Sequence, residues 1–205
     1  MSKYDPYAPN GLAPTGGRTS VSAAESKTVG FFGRLVPQKG ADVLLAAVAK
    51  VVATMPQVRF VFHGAGDMAD ALRAETETRG LTASVRFAGG YSQADVIGLM
   101  RQTDVVAVPS RWEGCPYVVL EAFQAGVPVV ASAVGGIPDL IQDGVSGLCV
   151  APGNPDALAD ALVTLLRDPH LRWQFAEQGR ACVAEHTVEA MAQAVAEVYQ
   201  SALNS

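Results

Sequence analysis

The sequence has little of what binds metal, staples a small fold or crosses a membrane. Its three cysteines, Cys115, Cys149 and Cys182, are an odd number without CxxC spacing, which argues against a disulfide framework and a zinc site alike. Its three histidines, His63, His170 and His186, are scattered, with no spacing that resembles a metal site or a nucleophile–base pair. No metal or other cofactor is therefore expected. No apolar run reaches the roughly 18 residues of a membrane span, and the opening MSKYDPYAPNGLAPTGG lacks the apolar core of a signal peptide, so the expected location is the cytoplasm. Basic blocks are missing too: 15 Lys and Arg stand against 20 Asp and Glu, a net charge of −5, and nucleic acid is not expected as a partner.

What the chain does have is apolar material in a regular order. Charged residues make up only 17% of its 205 residues, which excludes disorder over most of the length and fits one buried sheet covered by Ala-rich helices. Residues 1–27, rich in Pro, Gly and Ser, read as a flexible arm or linker. From Thr28 to the end at 205 the chain alternates short β-type runs with helical patterns, the mark of a doubly wound, Rossmann-like α/β three-layer sandwich with a six-stranded, mostly parallel sheet. The expected strands are TVGFFG (28–33), VRFVFHG (58–64), VRFAG (85–89), DVVAVPS (104–110), PVVAS (128–132) and GLCVA (147–151).

The helices are marked by period and punctuation. In ADVLLAAVAKVVATM, Val43, Leu44, Ala47, Val48, Val51, Val52 and Met55 share one face, and Pro56 ends the run. Helices are also expected over Asp67–Arg79, over Ser92–Gln102 with Ser92 as N-cap, and over about 154–167, 169–184 and 187–203. In open α/β sheets ligands sit beyond the carboxyl ends of the strands. The chemistry should therefore lie on GRLVPQKG (33–40), HGAGD (63–67), AGGYS (88–92), SRWEGCPY (110–117) and AVGGIPD (133–139).

On the first of these loops, Arg34 and Lys39 flank a short turn and Gly40 opens a helix. Two cations beside a helix N-terminus suit a diphosphate or remain solvated surface charges. The loop is not a Walker A motif, because the Gly-Lys-Ser/Thr ending is absent. The fourth loop carries Glu113, and Glu121 follows it eight residues on. On one straight helix that spacing would separate them by about 12 Å, beyond the roughly 5–9.5 Å of an acid/base carboxylate pair. Gly114 and Pro116 forbid such a helix, and Pro116 suits a first helical turn. Glu113 is then expected in the loop and Glu121 about one turn into the helix, facing one crevice from different depths. Such carboxylates accept diol hydroxyls well, although surface charge is the alternative. Together the two loops describe a pocket for a nucleotide-sugar.

GRLVPQKG, then EGCPYVVLEA, then GVPVVASAVGGIPDLIQDGVSGLCV resemble the donor-binding, C-terminal half of glycosyltransferase family 4 (glycosyl transferases group 1), retaining enzymes of the GT-B fold. The match runs in order from about Val29 to Val150, and the PNG at 9–11 resembles the entry to that second domain. The resemblance implies a metal-independent hexosyl transfer from a UDP- or GDP-linked sugar. It implies that Gly33, Arg34 and Lys39 hold the donor diphosphate and that Glu121 binds the ribose. Glu113, with Gly114, Cys115, Pro116, Tyr117 and Val118, would hold the transferred sugar, and Gly89, Gly90 and Tyr91 would lie along the base. Arg34, Lys39 and Glu113 would be the catalytic set. Cys115 and Pro116 depart from the Phe and Gly common in the family, and Pro116 offers no backbone N–H. The resemblance also implies a separate acceptor-binding Rossmann-like domain that this chain lacks, so little transfer is expected from it alone, and association through the exposed crevice face is expected. A GT-B epimerase or phosphorylase fragment and a non-catalytic nucleotide-sugar-binding module are the alternatives.

Overall fold

In the computed structural model residues 26–185 are described, with side chains through Val183. Most of the arm expected over 1–27, the PNG at 9–11 and the helix expected over 187–203 lie outside the described residues. Six strands, β1 (Thr28–Phe32), β2 (Arg59–His63), β3 (Val85–Gly89), β4 (Val105–Val108), β5 (Val129–Ser132) and β6 (Gly147–Val150), form one sheet. Its order is β3-β2-β1-β4-β5-β6 and every pairing is parallel. All six strands fall where the sequence puts them, each trimmed by no more than three residues.

Alternation along the strands divides the core between the two faces of the sheet. Val29, Phe31, Phe60, Phe62, Val105, Ala107 and Val130 point to one face, and Phe32, Val106, Val108, Val129 and Ala131 to the other. The first face is covered by α1 (Ala41–Thr54), α2 (Ala69–Thr78) and α6 (Pro155–Arg167); the second by α3 (Val96–Met100), α4 (Tyr117–Ala125), the short α5 (Ile137–Leu140) and part of α7 (Pro169–Glu185). In α1 the expected stripe is buried with only Val52 half-buried, and Leu45 is buried as well. Between α1 and α6, Lys50 reaches both Asp156 and Asp160. Asn154 caps α6 by accepting from the Ala157 N–H at 3.0 Å. None of the described helices is long and apolar enough to cross a membrane.

Four local expectations are corrected. Ser92 does not cap a helix: its hydroxyl donates to the Asp95 carboxylate at 2.5 Å, and α3 begins only at Val96. Residues 67 and 68 belong to the turn before α2, because the Met68 N–H is taken by the Leu35 carbonyl at 3.0 Å. The loop at 133–139 contains the turn of helix α5, and Pro116 stands one residue ahead of α4, not in its first turn.

The order 3-2-1-4-5-6 reverses direction between β1 and β4, and the loops leaving those strands diverge to open a crevice. The two loops are GRLVPQKG and SRWEGCPY, the pair singled out by their charges.

Candidate functional site

The loop after β1 closes on a 3-10 turn, Pro37–Lys39, followed by Gly40 in the left-handed region at φ 67°. A Cβ at Gly40 would stand 1.9 Å from the Pro109 carbonyl oxygen, so only glycine lets α1 start this close to the end of β4. Arg34 is exposed and Lys39 half-buried, and both line a cleft of about 640 Å³ at the switch point. Tyr91, Gln93 and Glu121 line it as well, as do Cys115, Pro116, Tyr117 and Val118 at the start of α4.

The start of α4 has no side-chain cap. The Tyr117 N–H is used by the Cys115 carbonyl at 3.0 Å, and the Val118 N–H has no acceptor among the described residues. With Pro116 contributing no donor, the helix presents partial positive charge to the same cleft as Arg34 and Lys39.

Glu121 lies one turn into α4, half-buried, and accepts a hydrogen bond from the Gln93 side-chain amide. Beside it, the Tyr91 phenol is pushed up to about 12, first by burial and second by the Glu121 carboxylate, and so stays a neutral donor at neutral pH. The Tyr117 phenol is also raised, by its hydrogen bond and charge contact with Cys115.

Glu113 is placed differently from Glu121. Only 4% exposed, it lies beneath Lys39, whose Nζ donates to Oε1 and Oε2 at 2.7 and 2.8 Å, while the Ser110 hydroxyl donates to Oε1 at 2.7 Å. The two glutamates therefore have separate environments, one an ion pair at the back of the crevice and one a cleft wall. Of the residues expected at the site, Gly33, Arg34, Lys39, Gly90, Tyr91, Cys115, Pro116, Tyr117, Val118 and Glu121 line the cleft. Glu113 is buried and Gly114 exposed, and neither lines that cleft, while Gly89 serves β-structure, its carbonyl accepting the Gly64 N–H at 2.7 Å. The Gly-Gly pair at 135–136 holds the Glu113 loop from behind. Gly135 has φ 53°, and a Cβ there would meet the Glu113 carbonyl oxygen at 1.7 Å.

Three participants went unrecognised in the sequence. Gln93 carries no motif, and its place on the wall follows from the turn before α3. Phe32 ends β1 at the cleft and stacks on the His63 ring at 4.6 Å between centroids. Arg111 forms a bidentate pair with Asp42 at 2.6 and 2.8 Å, a contact between residues 69 apart that no local spacing reveals. Among the described residues no group of three His, Cys, Asp or Glu is placed to hold a metal ion.

His63, stacked on the cleft residue Phe32, makes the stability of the fold depend on pH. Burial first, and the Arg86 charge second, hold its imidazole below the ordinary 6.5. The unfolded chain thus binds a proton below pH 6.5 that the folded chain resists. This contribution to stability is complete above the unfolded value and is lost as pH falls through the lower folded one. Thermal unfolding from about pH 7 down to about pH 5 should show a declining midpoint whose slope is reduced in His63→Phe, a change that keeps the ring stack. Parallel profiles for the two proteins would remove His63 as the cause.

The fold and site together define a doubly wound α/β domain in which two cations, an uncapped helix start and a carboxylate converge on one cleft at the switch point of the sheet. The chain belongs to the glycosyl transferases group 1, whose family model matches residues 18–182. It is 36% identical over 182 residues to a D-inositol 3-phosphate glycosyltransferase of Corynebacterium jeikeium, covering 85% of this chain and 43% of that protein. It is likewise 36% identical over 181 residues to the phosphatidyl-myo-inositol mannosyltransferase of Mycobacterium leprae, covering 87% and 48%. The chain spans less than half the length of these relatives. Among solved structures it superposes on Anabaena HepE in complex with UDP-glucose with a TM-score of 0.77 at 30% identity, covering 87% of this chain and 50% of that one. It also matches the C-terminal domain of the glycosyl transferase group 1 protein LpcC of Francisella tularensis, with a TM-score of 0.73 at 27% identity, covering 79% and 87%. The sheet and its flanking helices thus match one Rossmann-like half of a GT-B glycosyltransferase.

Proposed function

We propose that residues 28–205 form the donor-binding domain of a retaining, metal-independent glycosyltransferase of family 4, and that residues 1–27 are its leading arm. The observation that carries the reading is the convergence of Arg34, Lys39 and the open N-terminus of α4 on one cleft, with Glu121 on its wall. The diphosphate of a nucleotide-sugar lies between the cations and the helix start, its ribose diol at Glu121 and its base toward Gly90 and Tyr91. The similarity to HepE with UDP-glucose supports a uridine nucleotide as the first ligand to try.

In this reading the chain's residues work by placement and by charge. Arg34, Lys39 and the Val118 N–H stabilise the charge that grows on the leaving diphosphate, the task a metal ion performs elsewhere. The Gly114–Val118 turn orients the transferred hexose, and Glu113, buried beneath it, acts on the donor through its ion pair with Lys39. The acceptor, whether a glycan, a lipid or a small molecule, is held by a second Rossmann-like domain facing the crevice. Cytoplasmic residence is part of the proposal, motivated by an odd number of cysteines without a disulfide pattern.

Calorimetric titration with UDP, UDP-glucose, GDP and GDP-mannose tests the reading on the chain as it stands. One base is expected to bind with a dissociation constant below about 1 mM, and no heat from any of the four at millimolar concentration would overturn it.

A further inference from the structure

We infer that Arg111 is a positioning residue, a clamp across the switch point that holds Lys39 at the place where the donor diphosphate binds. Five contacts from Arg111 and its neighbours stitch the loop after β4 to the turn after β1. The Arg111 backbone N–H donates to the Gln38 carbonyl at 2.8 Å. One guanidinium nitrogen donates both to the Pro37 carbonyl at 2.7 Å and to the Asp42 carboxylate at 2.8 Å, and the other donates to Asp42 at 2.6 Å. The Gln38 side chain returns a bond to the Trp112 carbonyl at 3.3 Å. Arg111 itself is not on the cleft surface, and its guanidinium is turned onto α1.

The clamp has work to do because of what it holds. Pro37–Lys39 is a single 3-10 turn with no side-chain cap and no buried residue, a weak element by itself. Its closing bond, from the Gly40 N–H to the Pro37 carbonyl, is long at 3.3 Å, and that same carbonyl is the one Arg111 engages. Arg111 therefore fixes the turn from one side while Asp42, in the first turn of α1, fixes Arg111 from the other. The hydrogen bonds from Arg111 first, and its charge in addition, hold the Asp42 carboxyl below its ordinary value against the opposing effect of burial, so the pair stays ionised at neutral pH. Lys39 ends the clamped turn and its Nζ falls at 2.7 Å from Glu113, two residues beyond Arg111. A planar fork is needed for this: a lysine at 111 could reach Asp42 or Pro37 but not present the bidentate face.

The inference rests on the diphosphate reading of Lys39, and the test separates the two. UDP and UMP share base, ribose and α-phosphate, and differ in the phosphate furthest along the donor. Arg111→Ala is expected to weaken UDP about tenfold and to leave UMP affinity unchanged, with Arg111→Lys recovering part of the loss and Asp42→Ala reproducing it. Equal losses for UDP and UMP, or no loss for either, would overturn the positioning role. In the ligand-free chain, amide hydrogen exchange over 36–44 is expected to accelerate in Arg111→Ala and not over 117–125. If the parent chain binds no UDP, the donor reading falls, while unchanged exchange over 36–44 overturns the clamp independently of any ligand.

Discussion

Lys39→Ala is expected to lower the unfolding free energy by about 3 kcal/mol, the lower end of the roughly 3–5 kcal/mol for breaking a buried ion pair from one side. The asymmetry of the pair sets that figure. Glu113 has a side chain only 3% exposed, with both oxygens on the Lys39 ammonium, and truncation leaves it with the Ser110 hydroxyl alone. Lys39 is 23% exposed, so water enters part of the vacated volume and keeps the cost from the upper end. Urea unfolding checks the figure, and a loss under about 1 kcal/mol would show that the pair is screened. The double variant Lys39→Met with Glu113→Gln separates stability from function. It removes both charges, keeps a polar partner for Ser110 and is expected to recover most of the stability. It does not recover diphosphate affinity, because the cation is gone. If nucleotide binding returned with stability, Lys39 would be a structural cation only.

The pair also shows where sequence reading ends. Spacing separated Glu113 from Glu121 and put one in the loop and one on the helix, because Gly114 and Pro116 allow nothing else. It could not show that Glu113 faces a lysine 74 residues earlier, since that contact exists only once β1 and β4 lie side by side. The six strands were legible because each is a short apolar run bounded by Gly, Pro or Asp, and a parallel sheet buried on both faces writes itself in that form. Ser92 misled for the opposite reason. It has the residue type of an N-cap, but Asp95 three residues on accepts its hydroxyl, so a local side-chain contact replaced the cap. The turn of α5 was missed because four residues hold too little period to read. Gln93 and Arg111 were missed because an amide and a guanidinium on surface loops carry no pattern until their partners are known. Legibility follows the range of the interaction: period and punctuation are local, while the site is made across the switch point.

Glu121→Ala is expected to weaken UDP binding by about 1.5–3 kcal/mol, the scale of hydrogen bonds to a charged group, or roughly 10- to 150-fold in dissociation constant. The residue is half-buried on a helix whose packing depends on Val119, Leu120, Ala122 and Phe123, all buried, so stability should change little and the loss should be one of binding. Gln93 already occupies part of the carboxylate, and a carboxylate has capacity for about four hydrogen bonds, which leaves room for two ribose hydroxyls. Removing a hydroxyl from the ligand tests this without touching the protein. Against the parent chain 2′-deoxy-UDP should bind more weakly than UDP, and against Glu121→Ala the two should bind alike, because the group that distinguishes them is absent. Glu121→Gln should fall between, keeping one acceptor oxygen without charge. If the deoxy ligand loses the same amount against both proteins, the ribose is read by another group and Glu121 acts only through its charge on the cleft, including its push on Tyr91.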